Sequence, residues 1–143
     1  MPAATSLKKV LLVDDDKVTN LMHGRLIKRT GLIEQIDVAT DGVAALEYLE
    51  EKDAAGDPLP ELILLDINMP RMDGFEFLEN YAALPEQIRK SGTLIIMLST
   101  SDLRADHDRA EADPNVYAFV SKPVKSDDIA GFVHACHQER LAG

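Results

Sequence analysis

The feature that most constrains the fold of this chain is a regular alternation of short, continuously apolar runs with amphipathic stretches. Such runs are typical of strands in a parallel sheet covered on both faces, because a strand with one wet face alternates apolar and polar residues. The runs are, in order, KKVLLV, EQIDVAT, ELILLD, TLIIML and VYAFVS. A helical pattern follows each of them, which predicts a doubly wound α/β fold with a five-stranded parallel sheet and helices on both faces.

The helical stretches carry their own start and stop signals. Asp16 and Asp41 stand where a side chain can cap the first turn of the first and second helices, and Gly31 suits the end of the first. The apolar residues of the first helix recur close to the 3.6-residue helical spacing, and they are Val18, Leu21, Met22, Leu26 and Ile27. This pattern predicts an amphipathic helix with Met22 in the core.

Length, charge and cysteine content limit the classes of protein to which the chain can belong. Its 143 residues suit one domain, 1–143, with no effector domain. A formal net charge of −10 is the wrong sign for nucleic-acid binding. No apolar run reaches the roughly 18 residues of a membrane span, and MPAATSLKK lacks the apolar core of a signal peptide. The single Cys136 excludes an internal disulfide, so we expect a cytoplasmic protein without a membrane partner.

Polar residues follow the predicted strands at the point where each strand ends. Ligands of open α/β sheets bind outside the carboxyl ends of the strands, which meet at one edge. The residues that converge there are Asp14 and Asp15 after the first strand, Asp66 after the third, Ser99 and Thr100 after the fourth, and Lys122 after the fifth.

Three carboxylates at one edge repel each other, by about 4 kcal/mol per pair at 4 Å and an effective dielectric constant near 20. A hard divalent cation would relieve this repulsion, and Mg²⁺ typically binds one or two carboxylates together with a phosphate. A lysine and a hydroxyl beside the metal could hold the remaining phosphoryl oxygens. The residue types therefore indicate a site for Mg²⁺ and a phosphoryl group.

Four blocks around these residues resemble the signature blocks of response-regulator receiver domains of two-component signalling. The blocks are LLVDDD, LILLDINMPRMDGFEFL, MLSTS and FVSKP. They occur in the order and at the spacing of that family, and the similarity extends from Lys9 to about Leu141. The resemblance implies a flavodoxin-like sheet with strand order 2-1-3-4-5, as in stand-alone receivers of the chemotaxis-regulator kind.

The resemblance also implies roles for the acidic residues. Asp66 corresponds to the aspartate that accepts the phosphoryl group and also binds the metal. Asp15 corresponds to a direct Mg²⁺ ligand, Asp14 to an acid that reaches the metal partly through water, and Asn68 to the residue whose backbone carbonyl binds it. Asp16 is not required by the family and is interpreted as the cap of the first helix.

The remaining site residues are implied in the same way. Ser99 matches the switch hydroxyl that binds the phosphoryl group, and Lys122 matches the lysine that pairs with its oxygens, with a cis bond to Pro123. Phe119 occupies the aromatic switch position, where it lacks the hydroxyl of a tyrosine. Phosphorylation is expected to remodel the face formed by the fourth helix (103–112), the strand around Phe119 and the last helix.

On this interpretation the chain is a stand-alone response regulator, not an enzyme beyond its own Mg²⁺-dependent phosphorylation and dephosphorylation. The resemblance implies a sensor histidine kinase or a histidine phosphotransfer protein as the phosphodonor. The downstream target would be another protein, and the chain would be a monomer or a phosphorylation-dependent homodimer.

Two other functions fit parts of the pattern. A magnesium-dependent phosphatase also carries a nucleophilic aspartate at a strand end, but it needs an acid two residues later, where this chain has Asn68. A flavin-binding module would need a loop rich in Ser, Thr and Gly after the first strand, where this chain has DDDK. Both alternatives are weaker than the receiver interpretation.

Overall fold

A computed structural model describes residues 6–100 and 104–142, without the side chains of residues 140–142. Three points of the sequence interpretation lie outside the described residues, namely residues 1–5, Ser101 and Leu103. The elements are β1 (Leu7–Val13), α1 (Lys17–Thr30), β2 (Ile33–Ala39), α2 (Gly42–Ala55), β3 (Leu62–Asp66), α3 (Gly74–Tyr81), α4 (Glu86–Arg89), β4 (Leu94–Ser99), α5 (Arg104–Ala112), β5 (Val116–Ser121) and α6 (Ser126–Ala142).

The predicted sheet is confirmed. Its five strands are parallel and lie in the order β2-β1-β3-β4-β5. The structure adds a short helix, α4, which the strand–helix alternation did not predict. Ile88 of this helix is buried beneath α2 and α3, so the segment closes the core on that side. Within the described residues, no helix is long and apolar enough to cross a membrane.

Successive side chains of the central strands pack alternately into two separate hydrophobic cores, one on each face of the sheet. In β3, Ile63 and Leu65 face the side covered by α2, α3, α4 and α5, whereas Leu62 and Leu64 face the side covered by α1 and α6. Burying one such side chain stabilises the fold by about 1.5–3 kcal/mol. Apolar runs without alternation are therefore explained for β1, β3 and β4, which are covered on both faces.

Two of the five apolar runs do not behave in this way. β2 and β5 are the edges of the sheet, and both are partly exposed. Val38 of β2 and Tyr117 of β5 are each 49% exposed. The prediction of strands buried on both faces was wrong for these two, because an edge strand lacks a neighbour and is only partly covered by the flanking helices.

The first helix packs through a narrower stripe than its apolar pattern predicts. Val18, Leu21 and Met22 are more than half exposed, so the placement of Met22 in the core was wrong. The buried residues of α1 are Ile27, which the apolar pattern included, and His23, which it did not; they lie one turn apart. Because α6 covers the same face of the sheet, α1 contributes only this stripe and the partly buried Leu26, and its other apolar residues are turned to solvent.

Candidate functional site

The predicted site residues come together at the carboxyl edge of the sheet. Asp66 and Ser99 are the last residues of β3 and β4, Asp14 directly follows β1, and Lys122 directly follows β5. Asp14, Asp66 and Ser99 are buried, with 4%, 6% and 1% of their surface exposed. Polar side chains buried at this edge need partners, and Lys122 supplies them for two carboxylates.

Lys122 bridges two aspartates from different strands. Its Nζ lies 2.6 Å from Asp14 Oδ2 and 2.9 Å from Asp66 Oδ1. The backbone N–H of Lys122 also donates to the carbonyl of Ser99, at 2.8 Å, so the residue is held against the end of β4. One ammonium group thus serves two buried carboxylates.

The electrostatic balance of this site favours a further cation. Burial raises the pKa of Asp66 above its ordinary value, and the neighbouring charges of Asp14 and Asp15 raise it further, although the Lys122 ammonium works against them. Burial alone would lower the pKa of Lys122, but its bonds to Asp14 and Asp66 outweigh burial and raise that pKa. Lys122 therefore remains charged, while ionised Asp66 is incompletely compensated.

Three carboxylates offer oxygen atoms to a common point. One oxygen each from Asp14, Asp15 and Asp66 lies within 4.8 Å of the other two. Asp15 is exposed and lines a surface pocket of about 330 Å³ together with Asn68 and Asp73. An all-oxygen donor set with an open side fits Mg²⁺, which prefers hard ligands and retains several waters.

Local hydrogen bonds orient the Asp14 side chain and show the role of Asp16. Asp14 Oδ1 accepts the N–H of Asp16 at 2.9 Å, and the Asp14 carbonyl accepts from the Asn20 side chain at 2.9 Å. Asp16 caps α1 by accepting from the Val18 N–H and the Thr19 hydroxyl, bonds that lower its pKa. The interpretation of Asp16 as a helix cap is confirmed.

The loop after Asp66 is held against the strand by a close backbone approach. The N–H of Gly74 donates to the carbonyl of Ile67 at 2.8 Å. A Cβ at position 74 would lie 2.6 Å from the Asp66 carbonyl oxygen, so a larger residue would displace Asp66. Asp73 and Glu76 form a capping box at the start of α3, which fixes the far end of the loop.

His23 lies next to the site and was not among the predicted site residues. It is 4% exposed, and its Nε2 accepts the N–H of Val124 at 3.3 Å. Val124 follows the Lys122–Pro123 bond, which is cis as the resemblance implied. Burial lowers the pKa of His23, as does the nearby Lys122 charge, so the ring is held neutral as an acceptor. Its place four residues before buried Ile27 was the available signal.

Phe119 lies half-buried on β5 and packs against the side of α5. Its ring centroid lies 4.6 Å from that of His107, with the planes inclined by 46°. His107 in turn contacts Glu111 one turn later, with Nδ1 3.2 Å from Oε1. Phe119 therefore connects the strand nearest Lys122 with a surface helix.

Comparisons with known proteins show which family the chain resembles. The family model of the response regulator receiver domain matches residues 10–134. The chain is 32% identical over 120 residues to a probable methanogenesis regulatory protein, FilR2, of Methanothrix harundinacea, covering 84% of this chain and 75% of that protein. It is 34% identical to a protein-glutamate methylesterase/protein-glutamine glutaminase of Xanthomonas oryzae, but spans only 29% of that protein's length.

A solved structure shows the same likeness in three dimensions. The crystal structure of a two-component response regulator from Cytophaga hutchinsonii superposes with a TM-score of 0.86 at 31% identity, covering 93% of this chain and 98% of that one. A CheY-like receiver domain protein from Methanospirillum hungatei, at 22% identity and a TM-score of 0.74, shares the fold.

Proposed function

The chain belongs to the response regulator receiver domain family of two-component signalling, and from this premise we propose that Asp66 accepts a phosphoryl group. The phosphodonor is a phosphohistidine of a sensor kinase or of a histidine phosphotransfer protein. The observation that carries the proposal is the bridge of Lys122 between Asp14 and Asp66, beside three carboxylates that can share one cation.

In the proposed reaction a carboxylate oxygen of Asp66 attacks the phosphorus in line with the bond to the donor nitrogen. That P–N bond breaks, the imidazole leaves and takes up a proton, and an acyl phosphate forms on Asp66. Lys122 already lies 2.9 Å from Asp66 Oδ1, and it would pair with the phosphoryl oxygens. Asp14, Asp15, Asp66 and the Asn68 carbonyl would hold Mg²⁺, which when bound neutralises charge on the phosphoryl oxygens.

The signal is proposed to leave the site through Ser99 and Phe119. When the Ser99 hydroxyl binds a phosphoryl oxygen, the following loop moves inward and vacates space beside β5. Phe119, now packed on His107, then turns inward, and burial of its ring supplies about 1.5–3 kcal/mol, enough to shift a two-state equilibrium about tenfold or more. The remodelled face consists of α5, β5 and α6, and it would bind a downstream protein or a second copy.

Intact-mass spectrometry after treatment with acetyl phosphate and Mg²⁺ tests the acceptor. The wild-type protein is expected to gain one phosphoryl group, and Asp66→Asn none. Asp16→Asn is the matched control, because Asp16 is an aspartate of the same edge whose carboxylate only caps α1. Modification of the Asp66→Asn protein would contradict the assignment.

Backbone amide NMR with and without beryllofluoride, a phosphoryl mimic, tests the output route. We expect shifts at Phe119 and in α5 and α6 as well as around Asp66. Shifts confined to the loops around Asp66 would exclude this route.

A further inference from the structure

Arg71 holds an unfavourable backbone conformation in the loop that follows Asp66. Its φ is 62°, and among the described residues it is the only residue other than glycine with a positive φ. An L residue adopts this left-handed conformation at a cost, so the surrounding contacts must stabilise it. The loop, residues 67–73, includes Asn68 and is exposed over much of its length.

The contact that Arg71 makes in this conformation reaches another element. Its Nε donates to Asp41 Oδ2 at 2.6 Å, across 30 positions of sequence. The Asp41 side chain is 6% exposed, whereas that of Arg71 is 60% exposed. An exposed loop residue is thus bound to a buried carboxylate.

The anchor is itself rigid. Asp41 is the N-cap of α2, and its other oxygen, Oδ1, accepts the N–H of Ala44 at 2.8 Å. Burial alone would raise the pKa of Asp41, but the bonds from Arg71 and Ala44 outweigh it and lower that pKa, so the anchor stays ionised.

A second contact beside Arg71 ties the loop to the same helix turn. The N–H of Gly42 donates to the carbonyl of Met72 at 3.2 Å. A Cβ on Gly42 would lie 2.7 Å from Met72 Cγ, so the loop packs directly on the first turn of α2. Together the two contacts fix the segment that follows Asn68.

We propose that Arg71 is a positioning residue for the Mg²⁺ site: by pairing with Asp41 it holds residues 67–73 where the Asn68 carbonyl can bind the metal. This role rests on the proposed function, since it requires Mg²⁺ at Asp14, Asp15 and Asp66. The Arg71–Asp41 pair would then affect the affinity for Mg²⁺. An exposed ion pair by itself usually contributes little to the free energy of unfolding.

The test is the dissociation constant of Mg²⁺ for the full chain, measured by NMR titration, together with the melting temperature without metal. Arg71→Gly isolates the role, because glycine accepts the positive φ without strain but lacks the guanidinium. We expect Mg²⁺ binding to weaken at least about threefold, below the 10–100-fold typical when a direct partner of a metal ligand is lost. Arg71→Lys keeps the charge and should recover part of the affinity.

The direction of the change separates positioning from simple electrostatics. Removing a positive charge near an acidic site strengthens cation binding by Coulomb's law, so weaker binding cannot come from charge alone. Arg25→Ala, which removes the same charge from an exposed position of α1, is the control and should leave affinity equal or slightly higher. Asp41→Ser, which can still cap α2, loses the same contact but also a negative charge, so its effect is judged in the double variant: adding Arg71→Gly to Asp41→Ser should cause no further loss of affinity.

Each result decides the matter. If Arg71→Gly binds Mg²⁺ as tightly as Arg25→Ala while Asp15→Asn has lost binding, the role of Arg71 is overturned and the metal site stands. If wild-type protein does not bind Mg²⁺, or Asp15→Asn binds it equally well, the proposed function fails and this role fails with it.

Discussion

Two clusters of charged side chains, one at the carboxyl end of the sheet and one at its β2 edge, are balanced in opposite ways. The carboxyl-end cluster consists of Asp14, Asp66 and Lys122, in which one ammonium serves two carboxylates. The edge cluster consists of Lys9 of β1, Asp37 of β2 and Tyr48 of α2, in which several donors serve one carboxylate.

The edge cluster satisfies its carboxylate. Asp37 accepts from the Tyr48 hydroxyl at 2.6 Å and from Gln35 Nε2 at 3.1 and 3.2 Å, and Lys9 Nζ lies 4.0 Å away. Lys9 and Lys52 also lie over the Tyr48 ring, at 5.9 and 5.6 Å from its centroid. Burial alone would raise the pKa of Asp37, but these hydrogen bonds and cations outweigh it and lower that pKa.

The comparison shows that the negative charge of Asp37 stabilises the fold, whereas that of Asp66 destabilises it. In the edge cluster the carboxylate is fully hydrogen-bonded, so ionisation favours the folded state. In the carboxyl-end cluster the pKa of Asp66 is raised, so its ionisation opposes the folded state until a cation binds. The first arrangement is structural, and the second leaves a carboxylate that a further cation would neutralise, as the proposed Mg²⁺ site requires.

The largest expected effect comes from removing the lysine of each cluster. Lys122→Met leaves two buried carboxylates without their cation and should cost about 3 kcal/mol of unfolding free energy without Mg²⁺. Lys9→Met removes a longer contact, 4.0 Å to Asp37, and a hydrogen bond of 3.2 Å to the Pro58 carbonyl, while Asp37 keeps Tyr48 and Gln35. It should cost about 1 kcal/mol. Urea denaturation with and without Mg²⁺ measures both.

Adding Mg²⁺ should change the unfolding free energies of these two variants differently. It should narrow the difference between Lys122→Met and wild type, because the metal replaces the lost cation, and leave the Lys9→Met difference unchanged. Equal losses in the two variants, or equal responses to Mg²⁺, would break the contrast between the clusters.

A smaller effect of opposite sign is expected from neutralising one carboxylate in each cluster. Without Mg²⁺ near neutral pH, Asp66→Asn should raise the free energy of unfolding by about 1 kcal/mol because it removes like-charge repulsion. Asp37→Asn should lower it by about 1 kcal/mol because it removes a charged acceptor of Tyr48. Thermal melts in a metal-free buffer decide the signs, and a destabilised Asp66→Asn protein would argue against a raised pKa.

The same two aspartates should produce different pH profiles. The pKa of Asp66 is raised above its unfolded value of 3.8, so its unfavourable contribution grows as pH rises from that value through the folded pKa. The pKa of Asp37 is lowered, so its favourable contribution is present above 3.8 and is lost as pH falls through the folded pKa. The advantage of Asp66→Asn over wild type should therefore shrink on acidification. An advantage that does not vary with pH would point to a packing effect.

The smallest effect concerns His23, which lies beneath the carboxyl-end cluster. Its pKa is lowered, so the unfolded chain binds the proton more readily and stability should decline as pH falls below 6.5, levelling off at the folded pKa. His23→Gln retains an acceptor for the Val124 N–H but does not titrate. Its stability relative to wild type should therefore rise as the pH falls below 6.5. Denaturation curves of both proteins between about pH 5 and 7 measure the difference, and parallel profiles would exclude a neutral, buried His23.

Much of the fold and of the candidate site could be predicted because the signals are local. The residues of a central strand such as LILLD of β3 are apolar throughout, which predicts its burial. The rule that parallel strands end at one edge of the sheet predicts that Asp14, Asp66, Ser99 and Lys122 lie close together. The caps Asp16 and Asp41 and the helix end at Gly31 were likewise predicted from residue type and position, and all three are confirmed.

The same local signals gave wrong predictions where the environment is set by distant parts of the chain. Periodicity marks Met22 and Leu21 as apolar, but it does not say that α6 already covers that face of the sheet and leaves both residues exposed. A hydrophobic run does not say whether its strand is central or at an edge, which is why Val38 was expected to be buried and is not.

By itself, then, the sequence determined the alternation of the five strands with their following helices, the two-sided core and the residues that meet at the carboxyl edge. Those features depend on repeating patterns and on the geometry common to parallel sheets. Only the tertiary structure decided which charges are satisfied there. Lys122 reaches Asp14 across 108 positions and His23 reaches Val124 across 101. Contacts of that separation depend on how whole helices and strands pack, and a hydrogen bond is decided by a few tenths of an ångström that no residue pattern encodes.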